Sequence, residues 1–315
     1  MFLRTVTPLS LLAGALLLQA CGGGVTEGPT PVPTPAPTPN FPAIMAAGDI
    51  SCDSINTDLP CKSKETSDLI IQERSLRNLV VVLPLGDLQY DYGTLAEFRK
   101  NYQTTWGRVN DISHPVPGNH EYETSNASGY FEYFASVGVG VGNRTEGWHT
   151  FPVGNWRFFA LNSNCSRIGG CGTNSPQYRW LQSELLANRQ KCAVAYWHHP
   201  FISSGQNGDA PEMRPIIDLL YLNNVEIVLA GHDHLYERFG PMTPAQVPDP
   251  VKGLRLFTVG TGGRDLYRFI RNPTSAFRSN EDYGVLRIVM KDESFETGFV
   301  KISGVVADPT SGVCF

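Results

Sequence analysis

The sequence predicts one large α/β domain, and three observations predict it. Strand-like apolar runs at Ala43–Ala47, Leu79–Leu85, Trp156–Leu161, Ala193–Trp197 and Val225–Ala230 alternate with segments of helical character. From Leu254 onward the runs Leu254–Val259, Gly284–Met290 and Glu296–Ile302 are β-type with few helices between them, which reads as an antiparallel tail. Five short polar punctuations follow apolar runs: Gly48-Asp49, Gly86-Asp87-Leu88-Gln89-Tyr90, Gly118-Asn119-His120-Glu121, His198-His199-Pro200 and Gly231-His232-Asp233-His234. They hold five of the chain's seven histidines. In α/β folds the carboxyl edge of the strands is where ligands bind.

At 315 residues the chain is long enough to bury a sizeable core. Its net charge of −5 argues against non-specific nucleic-acid binding, which needs a basic surface. Phosphate substrates stay compatible with that charge, because a local metal site attracts anions against it.

Residues Met1–Ala20 have the anatomy of a secretory signal. Arg4 supplies the positive start and Leu11–Leu18 an apolar stretch too short to span a bilayer comfortably. Leu18-Gln19-Ala20-Cys21 resembles a bacterial lipobox with Cys21 as the lipidated first residue; plain secretory cleavage near Ala20 is the alternative. Residues 21–42 contain the Pro/Thr repeat Thr30–Pro39, which cannot build a core and reads as an extended, semi-rigid spacer. The expected organisation is a leader over 1–20, a linker over 21–42 and a folded domain over 43–315. This describes an exported lipoprotein, periplasmic or at the cell surface, held to a membrane at Cys21.

Within the domain, Ala43–Ala47 is the first strand, with Asp49 just beyond it. Thr66-Ser67-Asp68 reads as a cap for a helix over Leu69–Leu76. Leu79–Leu85 is a buried strand, and Leu95–Trp106 an amphipathic helix. Residues 122–150 are rich in Gly and aromatics, among them Tyr122, Tyr130, Phe131, Tyr133, Phe134 and Trp148. They read either as a long functional loop with a short helix over a site or as a satellite hydrophobic cluster. Ser175-Pro176 opens a helix running to about Asn188. Pro211–Tyr221 is a further helix, and Val225–Ala230 the strand that delivers Gly231-His232-Asp233-His234.

Cys21 aside, six cysteines remain, an even number that suits disulfides in an exported chain. Fifteen connectivities are possible. The short spacings favour Cys52–Cys61 and Cys165–Cys171, which leaves Cys192–Cys314. The absence of close C-x-x-C pairs argues against a cysteine zinc site.

Asp, Asn and His side chains converging on one edge supply hard oxygen and borderline nitrogen donors, a mix suited to iron, zinc or manganese. Each strand end contributes one or two donors, so two ions can be held, and a carboxylate can bridge them. Such a pair polarises a shared water and takes up the charge of a phosphate oxygen, while a nearby protonated His can hand a proton to the leaving alkoxide. Any one of these histidines alone is better read as a core or loop residue; the ordered set is not.

That ordered set resembles the calcineurin-like metallophosphoesterases, and Tyr90 makes it similar to the purple acid phosphatases within them, as does Leu235-Tyr236-Glu237-Arg238. The resemblance covers about Pro42 to the C-terminus. It implies a four-layer α/β/β/α sandwich with two mixed sheets. It implies that Asp49, Tyr90 and His234 bind a first metal, that Asp87 bridges, and that Asn119, His198 and His232 complete a second. Asp87, His120 and His232 are then the catalytic candidates, with His120 facing the leaving group. The implied ions are Fe3+, which suits a phenolate from Tyr90, and a divalent Fe2+, Zn2+ or Mn2+. The chain departs from the family pattern at Ser51, where Gly is usual, in the spacing that leads to His198, and at Ser203-Ser204-Gly205, where plant enzymes often carry paired histidines. His198 is preferred to His199 as ligand because it keeps the His-x-Pro spacing. The implied activity is hydrolysis of a phosphorylated small molecule, most simply a phosphomonoester; a phosphodiesterase, a nucleotidase or a non-catalytic binding lipoprotein are the alternatives.

Overall fold

A computed structural model describes residues 40–52, 61–187, 191–271 and 273–315. The signal-like segment, Cys21 and the Pro/Thr repeat lie outside the described residues. In chain order the elements are β1 (Ala43–Ala47), α1 (Ser63–Leu76), β2 (Leu79–Pro84), α2 (Leu95–Glu97), α3 (Ser128–Ser136), β3 (His149–Val153), β4 (Trp156–Ala160) and α4 (Pro176–Ala187). Then follow β5 (Cys192–Tyr196), α5 (Arg214–Leu222), β6 (Ile227–Ala230), β7 (Tyr236–Arg238), β8 (Arg255–Val259), β9 (Phe277–Ser279), β10 (Gly284–Met290), β11 (Ser294–Lys301) and β12 (Val306–Val313).

These strands form two mixed sheets. One has the order β12-β11-β10-β1-β2, the other β3-β4-β5-β6-β8-β7-β9. β1 and β2 run parallel, as do β4, β5, β6 and β8, so their carboxyl ends share an edge within each sheet. The period-two alternation of strand side chains sorts the core. On β5, Cys192, Val194 and Tyr196 pack with Ile44, Ala46 and Val82 of the other sheet, whereas Ala193 and Ala195, with Trp197 just beyond the strand, pack with Leu181 and Leu185 of α4 and Ile216, Ile217 and Leu220 of α5. α1 covers the first sheet, contacting β2 and β10. The layers are therefore helix, sheet, sheet, helix, as the resemblance implies.

The two sheets are tied at the carboxyl edge. Gly48 N–H donates to the Val259 carbonyl at 2.8 Å, and the His198 ring reaches the Leu85 carbonyl at 2.8 Å. Three disulfides join Cys52 to Cys61 and Cys165 to Cys171, the pairs that the spacings favour, and Cys192 to Cys314, the pair that these leave. No helix among the described residues is long and apolar enough to cross a membrane.

Some elements differ from expectation. α1 begins at Ser63, not after Asp68. The hydroxyls of Thr66 and Ser67 donate back to the Ser63 and Lys64 carbonyls instead of capping, and Asp68 pairs with Lys64 and Arg108. The helix expected over Leu95–Trp106 is broken up. A Thr94–Glu97 capping box opens α2, a wide π-type turn takes Phe98–Tyr102, and a tight helix follows over Trp106–Ile112. The wide turn lets Tyr102 N–H reach the Gln89 side chain at 3.2 Å. In the aromatic stretch, Tyr130, Phe131, Tyr133 and Phe134 are buried on α3 against Phe98 and Tyr102, so they belong to the core. Strands β3, β7, β9 and β12 are additional to those the sequence predicts.

Candidate metal centre

The centre is built from turns at strand ends. Beyond β1 and β2, Asp49 and Asp87 adopt left-handed backbone conformations with φ of 61° and 48°; beyond β6, His232 does so at 72°. Asp tolerates this region better than most residues. A sharp left-handed step turns each side chain inward from the end of its strand. Glycines allow the close approach. A Cβ on Gly86, itself at φ 84°, would sit 2.6 Å from the His198 ring, and one on Gly118 would collide with Asp87. Ser51 is accommodated because its side chain turns away to Thr105, Oγ to Oγ1 at 3.2 Å.

All seven ligand candidates meet in one cluster, buried but for the half-buried Asn119 and His232. On one side, the Tyr90 phenol lies 2.9 Å from Asp49 Oδ1, 3.1 Å from Asp87 Oδ2 and 2.9 Å from His234 Nε2. On the other, His198 Nε2 lies 3.2 Å from Asn119 Oδ1, 3.2 Å from His232 Nδ1 and 3.2 Å from Asp87 Oδ2. Asp87 belongs to both sides, the place expected of a bridge. Asp49, Asp87 and His198 present ligand atoms within 4.8 Å of one another, as do His198, His199 and His232.

The donor chemistry fits cations. His198 Nδ1 donates to the Leu85 carbonyl at 2.8 Å and His234 Nδ1 to the Asp265 carbonyl at 2.6 Å. Carbonyl partners of this kind orient metal-binding imidazoles and leave Nε2 as the inward lone pair. The Tyr90 proton is then shared among three acceptors, and the His198 side gathers further acceptors around one ring. The protonation shifts ask for positive charge as well. Burial and the charges of Asp49 and Asp87 push the Tyr90 phenol well above its ordinary value. Burial would lower His198, but the Asp87 and Asp49 carboxylates and the Leu85 carbonyl together outweigh it and raise the ring to about 9. Burial would raise Asp87, yet His198 above all holds it well below the usual carboxylate range.

His120 stands beside this cluster rather than in it. Its backbone N–H donates to Asp87 Oδ1 at 2.8 Å, its Nδ1 donates to the Asp91 carbonyl at 2.6 Å, and its Nε2 is 3.9 Å from Asp87 Oδ2. The ring is half-buried, packed 4.3 Å from that of Tyr90. His199 turns to Ser163, Nδ1 to Oγ at 2.8 Å.

Several contributing residues had no assigned role in the sequence. Glu121 is fully buried, and its carboxylate accepts from the backbone N–H groups of Gly118, Asp87, Leu88 and Gln89 at 2.6–3.2 Å, binding the two metal-site loops together. Tyr267 stacks on the His234 ring at 3.8 Å, and the Arg264 guanidinium lies 4.8 Å over the Tyr90 ring. Both follow Gly260-Thr261-Gly262-Gly263, a Gly-rich break after an apolar strand and the one signal that marked this sixth loop.

The model of a family described as calcineurin-like phosphoesterase matches residues 43–236. Purple acid phosphatase 21 of Arabidopsis thaliana is 36% identical over 129 residues, which cover 37% of this chain and 29% of that protein. Acid phosphatase type 7 of Danio rerio is 27% identical over 275 residues, covering 73% of this chain and 60% of that one. The chain thus spans less than two thirds of the length of these curated relatives. Among solved structures, the purple acid phosphatase PPD1 of yellow lupin superposes with a TM-score of 0.72 at 21% identity, over 86% of this chain and 53% of the lupin chain, a likeness of fold.

Proposed function

The chain belongs to the calcineurin-like phosphoesterases, and from that premise we propose that it is a dinuclear-metal phosphoesterase that hydrolyses phosphomonoesters. The observation that carries the proposal is the position of Asp87, one carboxylate reaching both Tyr90 Oη at 3.1 Å and His198 Nε2 at 3.2 Å. Asp49, Tyr90, His234 and Asp87 would hold one ion; Asp87, Asn119, His198 and His232 would hold the other. The phenol favours Fe3+ at the first position, with a divalent Fe2+, Zn2+ or Mn2+ at the second. When bound, the two ions supply Lewis acidity toward the phosphate and an ionised water as nucleophile.

The chain's own residues do the rest. Glu121 fixes the Asp87 and Asn119 loops relative to each other through backbone N–H groups. The Leu85 and Asp265 carbonyls keep the His198 and His234 lone pairs aimed inward. His120 Nδ1 is committed to the Asp91 carbonyl, so Nε2 is the ring position that can carry a proton to the leaving alkoxide.

The test is metal analysis of the purified protein together with turnover of p-nitrophenyl phosphate against bis-p-nitrophenyl phosphate. Two ions per chain and preference for the monoester are expected. Preference for the diester would move the protein to a phosphodiesterase or nucleotidase, and no turnover by the two-ion form to a binding lipoprotein. Export and anchoring at Cys21 are part of the same proposal, supported by three disulfides, which belong to oxidising compartments.

A further inference from the structure

A cleft of about 430 Å³ opens from the His198 side of the centre, with Asn119 and His199 at its inner end. The His199 ring lies 4.4 Å from that of His232, so the cleft begins at the metal cluster itself. Its walls are Tyr122 and Glu123 on one side, the 163–167 turn on another, and Glu212.

The 163–167 turn is held firmly. Ser163 Oγ accepts from His199 N–H at 2.9 Å, and Asn164 Nδ2 donates to the Pro117 and Gly118 carbonyls at 3.3 Å each. Asn162 Nδ2 donates to the Tyr122 hydroxyl at 2.8 Å. The Cys165–Cys171 disulfide closes the turn from outside. A wall stapled at this many points is preorganised for whatever enters the cleft.

The charges on that wall decide what enters. Arg167 is the lining cation and is exposed, and it is opposed by two exposed carboxylates, Glu123 and Glu212. The remaining lining side chains include the hydroxyl- and amide-bearing Ser163, Asn164 and Ser166, beside the Tyr122 ring. The cleft is thus polar, rich in hydrogen-bonding groups and net negative.

Resting on the phosphoesterase reading, we propose that this cleft receives the alcohol half of the substrate and selects monoesters of neutral, hydroxyl-rich alcohols over esters or anhydrides whose leaving group carries further phosphates. Hydroxyls of such an alcohol pair with Arg167, Glu212 and the Ser and Asn side chains. A second phosphate would meet one cation against two carboxylates.

The experiment compares kcat/KM of the reconstituted full-length enzyme for glycerol phosphate and glucose 6-phosphate with that for ATP and pyrophosphate. The neutral-alcohol esters should lead by about tenfold or more at low salt, and the lead should shrink at high ionic strength because its origin is charge. Combined Glu123→Gln and Glu212→Gln should narrow the lead, and Arg167→Gln should widen it, both mainly through KM. Equal turnover of the two substrate groups, or a lead indifferent to salt and to all three substitutions, overturns the proposal while leaving the phosphoesterase intact. Absence of turnover on p-nitrophenyl phosphate as well removes both readings together.

Discussion

The Tyr90 phenol donates a hydrogen bond to Asp49 Oδ1 at 2.9 Å, across forty-one residues of chain and from the loop after β2 to the turn after β1. His234 Nε2 lies equally close to the phenolic oxygen, at 2.9 Å. The ring is held independently of that oxygen, by His120 on one contact and the Arg264 guanidinium on another.

Removing the oxygen should therefore spare the packing. Tyr90→Phe is expected to fold with an unchanged far-UV spectrum, to retain the first metal more weakly, and to lose the visible phenolate-to-iron absorption of the oxidised, iron-loaded protein. Iron-loaded wild type without such a band, or a band that survives the substitution, would reject Tyr90 as a ligand and with it the likeness to purple acid phosphatases at this position.

Asp87 is expected to matter to both ions. Asp87→Asn keeps the shape but removes the charge that faces both sides, so metal content should fall toward zero and turnover by at least about a hundredfold. The neighbouring histidines should separate cleanly. His198→Ala should lose the second ion, whereas His199→Ala should keep two, since His199 Nδ1 is engaged by Ser163. Full occupancy in Asp87→Asn would end the dinuclear reading, and loss of metal in His199→Ala would reassign the second site.

The parts legible in sequence were those whose signal is local. A buried strand announces itself as a run of apolar residues, and the Gly-Asp or Gly-His pair after it marks the left-handed step that aims a ligand. The strands missed have weak local signals for physical reasons. β3 and β12 carry Pro152 and Pro309, tolerated because both are edge strands with one unpaired side. β7 and β9 are three residues each. In the site, Glu121 was visible in its motif, yet its role is to accept four backbone N–H groups, and nothing in a single sequence reports where those groups converge. Tyr267 and Arg264 act from a loop whose approach depends on the β8 strand lying beside β6.

The anchor is a separate matter, because it concerns residues outside the described domain. If Cys21 carries lipid, wild-type protein should enter the detergent phase on partitioning, and Cys21→Ser should stay in the aqueous phase with unchanged activity. Aqueous partitioning of the wild type would make the protein an ordinary exported enzyme cleaved near Ala20.

A last prediction comes from the far end of the fold. Glu226, buried just before β6, uses one oxygen to accept from Ala193 N–H at 2.7 Å and the other to accept from Phe315 N–H at 2.9 Å. Those residues follow Cys192 and Cys314, so the carboxyl group clasps the same junction as the disulfide. Burial raises its pKa from 4.5 to about 7 despite both N–H groups and the Arg255 charge. An acid whose pKa is raised by folding favours the folded state while protonated. Its contribution is complete below pH 4.5 and is lost as pH rises to about 7, because across that window the folded chain holds a proton that the unfolded chain has released. The whole change is about 3 kcal/mol. Glu226→Gln stays neutral at every pH. Its stability relative to wild type, measured by urea unfolding at steps from pH 4 to 8, should therefore improve by roughly that amount between pH 4.5 and 7 and level off above. A difference between the two proteins that does not change with pH would show that Glu226 titrates alike in the folded and unfolded chains, the two N–H groups and Arg255 offsetting its burial.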